Sequence, residues 1–233
     1  MHRGTGCAEA SGSIGSVRRW AGTAAVATLL VVVAGAAAGG PGKQKIELNA
    51  ADQAAARAVV LRRSDLGSGW TGGRIKPDLT SQVSCASYDP KVSDLVVTGA
   101  AASQFRGTGL VLANEVEVFR TVAMVDRDWR RSIVPAAVPC LRRTLTKGLG
   151  TQAKVLSFRR IPFPQVTTHT AAFRGIVAVS ALGQTVRVLL DIVLIGRGRT
   201  EISLDATAPA AAARAVSAAE RRLARTLAAR ARA

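Results

Sequence analysis

The sequence predicts an α+β fold: a mostly antiparallel sheet of about five to six strands with helices packed on one side, after an N-terminal signal or anchor helix. Three observations predict it. An uncharged, apolar run of eighteen residues (21–38) lies near the start, six later stretches are alternating or β-branched, and amphipathic helical stripes fall before, between and after them. At 233 residues the chain has the length of one domain.

The apolar run follows Arg18 and Arg19 and ends in small residues with A-x-A patterns at Ala36 and Ala38. Eighteen residues sit between a signal-peptide core and a short spanning helix, so the sequence predicts either a cleaved leader or a retained anchor, with the rest of the chain exported. The expected organisation is therefore a signal peptide or membrane anchor over 1–40, a linker over 41–48, and an extracytoplasmic domain over 49–233. No Cys stands directly after the run, so a lipoprotein attachment signal is absent.

Asn49 is placed to cap a helix reaching about Arg63, with Asp52 in its first turn and Ala51, Ala55, Ala58 and Leu61 along one face. Residues 67–90 are rich in Gly, Ser, Asp and Pro and read as a long loop. Residues 95–106 and 110–120 read as a hairpin around Gly107-Thr108-Gly109. Thr121 caps a helix bearing Val122, Val125, Trp129 and Ile133, and Pro139 opens another that carries Cys140 and stops at Gly148. Residues 155–161, 168–181, 185–195 and 200–207 read as four more strands, with turns at Gly183-Gln184 and Gly196-Arg197-Gly198. A last amphipathic helix starts at Pro209, with Val216, Ala219, Leu223 and Leu227 as its stripe.

The composition is 48% apolar but only 4% aromatic, which calls for a core of small aliphatic side chains. A net charge of +17, from 32 basic and 15 acidic residues, favours anionic surfaces such as lipid head groups or cell-wall polymer. Nucleic acid is disfavoured, because the Arg residues of the last helix are not interleaved with aromatics. Cys7 precedes the apolar run, leaving Cys85 and Cys140 as an even pair in an oxidising compartment, the arrangement expected for one disulfide.

The export segment, the order of elements, the stretch Leu61-Arg62-Arg63-Ser64-Asp65-Leu66-Gly67-Ser68-Gly69-Trp70 and the Cys85/Cys140 pair together resemble exported actinobacterial domains. These are related to the extracellular sensor domain of PknH-like receptor kinases and, more loosely, to LpqN-type lipoproteins. The resemblance covers residues 49–232. It implies an antiparallel sheet flanked by helices, with a cleft for an unidentified ligand and no chemistry of its own. This chain has no kinase domain and one cysteine pair where the kinase sensor has more.

Catalytic constellations are sparse. His169 shares a strand face with Phe173 and Val177 and reads as a structural or surface histidine, with a hydrolase built on it and a Ser or carboxylate as the alternative. Gly67-Ser68-Gly69 is not a nucleophile elbow, since its glycines flank the serine directly and a helix precedes it. Glu115 and Glu117 share a strand face and read as solvated carboxylates with Arg neighbours rather than a glycosidase pair. Asp191 lies in a very apolar strand and needs a partner, for which Arg187 is the candidate. Trp70 and Trp129 read as core anchors that could alternatively line a pocket. No metal-ligand spacing, cofactor motif or catalytic set is evident. The expected function is a noncatalytic extracytoplasmic ligand-binding or sensor-like domain of the cell envelope, with an unknown ligand or envelope protein as partner. The alternatives are a secreted hydrolase using His169 and an Arg-rich protein that binds anionic lipid or cell-wall polymer.

Overall fold

The computed structural model describes residues 42–80, 82–149, 153–181 and 184–231; the apolar run 21–38, Cys7 and Gly183 lie outside them. No described helix is long and apolar enough to cross a membrane. The described chain is α+β, built on one open, mostly antiparallel sheet of eight strands with four α-helices.

Two of the eight strands lie where the sequence predicts none. β1 (Lys45–Ile46) falls within the expected linker and pairs parallel to the start of β3 (Val96–Gly107). β2 (Thr71–Ile75) falls within the expected long loop and pairs antiparallel with the other end of β3. Both are edge additions whose own sequences, two residues and Thr-Gly-Gly-Arg-Ile, carry little strand signal; the β3 backbone recruits them.

α1 (Ala50–Val59) begins as predicted, with the Asn49 side chain accepting from the Asp52 N–H at 2.9 Å. It ends four residues earlier than expected. Val60 leaves the helical region, and the Leu61 N–H donates to Asn114 Oδ1 at 2.8 Å, so a buried side-chain acceptor on β4 (Leu110–Phe119) captures the donor. Its buried face is Asp52, Ala56 and Val59 rather than the expected alanines, which are exposed. Asp52 is drawn inward by Arg199, whose guanidinium it meets across the fold. A side chain on Gly99 would overlap the Asp52 carbonyl, so glycine there permits α1 to lie directly on β3.

β3 and β4 form the predicted hairpin, closed by Thr108-Gly109 with Gly109 at φ +70°. α2 (Val122–Ser132) is capped by Thr121 as expected, while Val122, at 51% exposed, falls outside its buried stripe. α3 (Ala137–Gly148) begins two residues before Pro139, which sits in its first turn, where a proline costs no hydrogen bond. β5 (Ala153–Ile161), β6 (His169–Ala181), β7 (Gln184–Arg197) and β8 (Thr200–Pro209) form an antiparallel meander that docks β8 against β4. Gln184 pairs with Ala181, so it belongs to β7 and not to the expected Gly183-Gln184 turn. The β7–β8 turn is Gly198-Arg199, with Gly198 at φ +57°. α4 (Ala213–Arg230) follows a short 3-10 turn.

The helices cover both faces of the sheet, not one. α1 and α4 pack on the face of Leu112, Val116, Leu189, Val193 and Leu204, with Leu223 and Leu227 at the centre. α2 and α3 bring Trp129, Ile133, Leu141 and Leu145 to the opposite face, against Phe158, Phe173, Val177 and Val188. The reason is visible in β7: Val188, Leu190, Ile192 and Leu194 alternate with Leu189, Asp191, Val193 and Ile195, so an almost continuously apolar strand needs cover on two sides.

Candidate functional site

A cleft opens on the α2 face of the sheet. β4 contributes Glu115 and Glu117, β8 contributes Glu201 and Ser203, and α2 lays Asp128, Trp129, Ser132 and Ile133 over them, enclosing about 270 Å³. A second cavity of about 210 Å³ continues from it through the shared Glu117, Asp128 and Ser132, and is bordered by Lys43, Gln44, Leu79 and Tyr88. Alternation along the strands places these groups: Glu117 stands directly opposite Glu201, and Glu115 opposite Ser203, so the four side chains share one face.

The outer wall is the segment between β2 and β3, tied at several points to α2 and α3. Cys85 is disulfide-bonded to Cys140 of α3, with Cα atoms 6.0 Å apart, as the cysteine pair predicts. The Tyr88 hydroxyl donates to the Ser132 carbonyl at 3.1 Å. Asp94 accepts from Arg127 at 2.7 Å and Arg131 at 2.6 Å, and these two guanidinium groups hold its carboxyl well below the usual range.

The electrostatics inside the cleft run the other way. Burial, reinforced by the neighbouring carboxyls of Glu117, Asp78 and Asp205, pushes Glu115 up to about 8. Burial raises Glu117 to about 7, against a hydrogen bond from Gln44 Nε2 at 3.2 Å. Glu201 is pushed well above the carboxylate range, first by burial and then by Asp128 and Glu117. Asp205, two residues further along β8, rises to about 6 by burial. Oε1 of Glu115 and Oε1 of Glu201 are out of reach of solvent and accept no hydrogen bond from the described residues. Five of the chain's fifteen acidic residues line the 270 Å³ cavity, and among the described residues no Lys or Arg does.

Glu115 and Glu117 are therefore half-buried cleft residues and not the solvated, Arg-neighboured carboxylates expected from alternation alone. Sequence reasoning missed Glu201, Asp128 and Ser203 altogether. The available signal was the alternation Glu201-Ile202-Ser203-Leu204-Asp205, a polar face matching that of β4; what it lacked was the β4–β8 pairing that sets the two faces side by side.

His169 lies where expected, on the face of Phe173 and Val177. Its Nε2 is 2.6 Å from Asp126 Oδ1 and its ring stacks on Trp129 with centroids 5.0 Å apart, so the imidazole meets a carboxylate rather than a hydroxyl. Trp129 both anchors the core and walls the cleft, whereas Trp70 packs its ring against Gly107. Asp191 is buried as predicted, but its partner is Arg174, the residue directly opposite on β6, with Nε 2.8 Å from Oδ1. Arg187 is four residues away along the strand, about 13 Å, and is exposed.

Among the described residues, no group of three or more His, Cys, Asp or Glu side chains is arranged to hold a metal ion. The arrangement can bind: it offers carboxyl groups short of donors, one aromatic wall and a covalently fixed rim. Compared with models of known protein families and with curated proteins, the chain matches none.

Proposed function

We propose that the chain is a noncatalytic ligand-binding or sensor-like module of the cell envelope, exported by residues 21–38, that holds its ligand in the cleft beneath α2. One observation carries the reading: a cavity with converging, under-satisfied polar groups lies under a wall stapled by Cys85–Cys140. Such a cavity is largely pre-formed, as binding pockets are. The leader signature and the disulfide, which persists outside the reducing cytosol, support the address. The resemblance to PknH-like sensor domains supports the role.

The test uses the full-length protein with its disulfide intact, melted against a panel of sugars, amino acids, amines and lipid head groups. At least one class is expected to raise the melting temperature, and Trp129→Ala to abolish the rise. Ester or glycoside turnover that disappears in His169→Ala would overturn the reading in favour of a hydrolase. A C-terminal reporter active only in the cytosol would overturn the address.

A further inference from the structure

Two glutamates directly opposite each other on neighbouring strands, Glu117 and Glu201, have Cβ atoms only about 5 Å apart, and like charges so placed repel. Asp128 descends onto the same pair from α2, and Glu115 follows two residues along β4, about 7 Å away. Asp78 on the rim and Asp205 on β8 add to the same sign, and Lys43 lines only the neighbouring cavity. Gln44 supplies a single donor to Glu117. Among the described residues, no Lys or Arg lines the main cavity.

Protons or a bound cation would neutralise such a set. A hard divalent ion needs six or more oxygens converging on one point, and the described carboxyls do not converge in that way. They are strung along two strands with an indole beside them, which suits an elongated charge with an apolar middle. Trp129, stacked on the His169 ring and packed against the cluster of Phe158 and Phe173, also lines the cavity, where an indole suits contact with a cation. A volume of about 270 Å³ limits the occupant to a small molecule.

Building on the reading of the cleft as a binding site, we propose that its ligand is a small organic cation, an ammonium or guanidinium compound held between Glu117, Glu201 and Asp128 with its carbon chain against Trp129. Protons compete with it for the same carboxyl oxygens. The entering cation takes their place, and the displaced protons leave to solvent.

Agmatine, with a guanidinium and an ammonium joined by four carbons, is the probe. Calorimetry of the full-length protein at pH 8 and pH 6, in buffers of different ionisation enthalpy, is expected to show binding with proton release at pH 8, weakened about tenfold or more at pH 6. The double variant Glu117→Gln/Glu201→Gln should lose at least about tenfold in affinity while melting no lower than the parent at pH 8, since it removes repulsion and keeps shape. A merely structural role for these glutamates predicts a lower melting point instead. The proposal is overturned if the folded protein ignores agmatine at pH 8, if binding is pH-independent without proton release, if it survives the double variant, or if magnesium binds and displaces agmatine. Were a sugar or other neutral compound to stabilise the protein through Trp129 while agmatine did not, the cation would be wrong and the binding cleft would stand. His169-dependent turnover would remove the cleft reading itself.

Discussion

Glu220 has no exposed surface, and neither of its carboxyl oxygens accepts a hydrogen bond from the described residues. It lies beneath α4 on the sheet face opposite the cleft, close to Asp191 and its partner Arg174, whose guanidinium also donates to Ser217 Oγ at 2.7 Å. One guanidinium thus serves a region holding two carboxyls. Burial first, and then the Asp191 charge, push Glu220 up to about 8. The neutral acid fits because it can give its own proton to Asp191, whereas the anion would sit buried without a donor. Its folded pKa lies above the unfolded one, so the fold loses stability as pH climbs from the usual glutamate range through about 8. Glu220→Gln keeps the shape and a donor, and should therefore leave stability at pH 5 nearly unchanged while raising it at pH 9 by about 2 kcal/mol or more. Denaturant melts at the two pH values check this, and an equal loss at both would refute it. The expected stripe of Val216, Ala219, Leu223 and Leu227 put Ala219 where the fold buries Glu220, although Glu220, four residues after Val216 and three before Leu223, lies on the same helix face. Its burial follows from the Arg174–Asp191 pair across the sheet, which is a tertiary fact.

The disulfide belongs to the scale of elements, since it fastens the outer wall of the cleft to α3. Cys85 lies in an isolated two-residue bridge with Tyr88, outside the sheet, while Cys140 is buried in α3 among the residues that cover β5 and β6. The two are 55 residues apart, a separation for which chain entropy assigns on the order of 4 kcal/mol at most. Cys85→Ala/Cys140→Ala should lower stability by about 2 to 4 kcal/mol and speed amide exchange over residues 76–90, leaving β4, β7 and β8 protected. Uniform loss of protection across the sheet would show that the wall is not a separate unit. The elements also divide by what was legible. Strands and helices whose own periodicity specifies a buried face, such as β3, β4, β6, β7, β8 and α2, were readable within a few residues. β1 and β2 were not, because their neighbour's backbone defines them: Gly72 has φ +118°, and a Cβ there would overlap the Gln104 carbonyl, so the sequence shows a loop-forming glycine where the fold uses close strand contact. The cleft was half legible in the same sense. Glu115 and Glu117 were visible on one strand, but their meaning required the strand 84 to 86 residues later that brings Glu201 opposite.

Over the whole molecule, the acidic groups divide into two populations with opposite responses to pH. Asp52 is held down at about 2 by its hydrogen bond with Arg199, Asp94 lies lower still beside Arg131 and Arg127, and Asp65 is lowered by Arg230 and Arg62 against its own burial. These depressed groups contribute stability that is present above the usual aspartate range and is lost only as pH falls through their folded values. Glu115, Glu117, Glu201 and Glu220, on opposite faces of one sheet, are raised, and what they contribute is lost as pH rises toward 7 or 8. The general repulsion among +17 charges would instead favour alkaline conditions, since the isoelectric point is near 11.5. That repulsion acts between exposed Arg and Lys in water and is screened beyond about 8 Å at physiological salt, whereas the buried carboxyls are screened far less. Local burial should therefore win, and the melting temperature should peak between about pH 4 and pH 6 and fall by pH 8.5, with little dependence on salt. Adding agmatine should recover part of the loss at pH 8.5, because a cation then replaces the missing protons, and the Glu117→Gln/Glu201→Gln variant should show a shallower alkaline fall without it. A melting temperature that rises steadily toward the isoelectric point would mean that net charge, and not the two buried carboxyl sets, governs this fold.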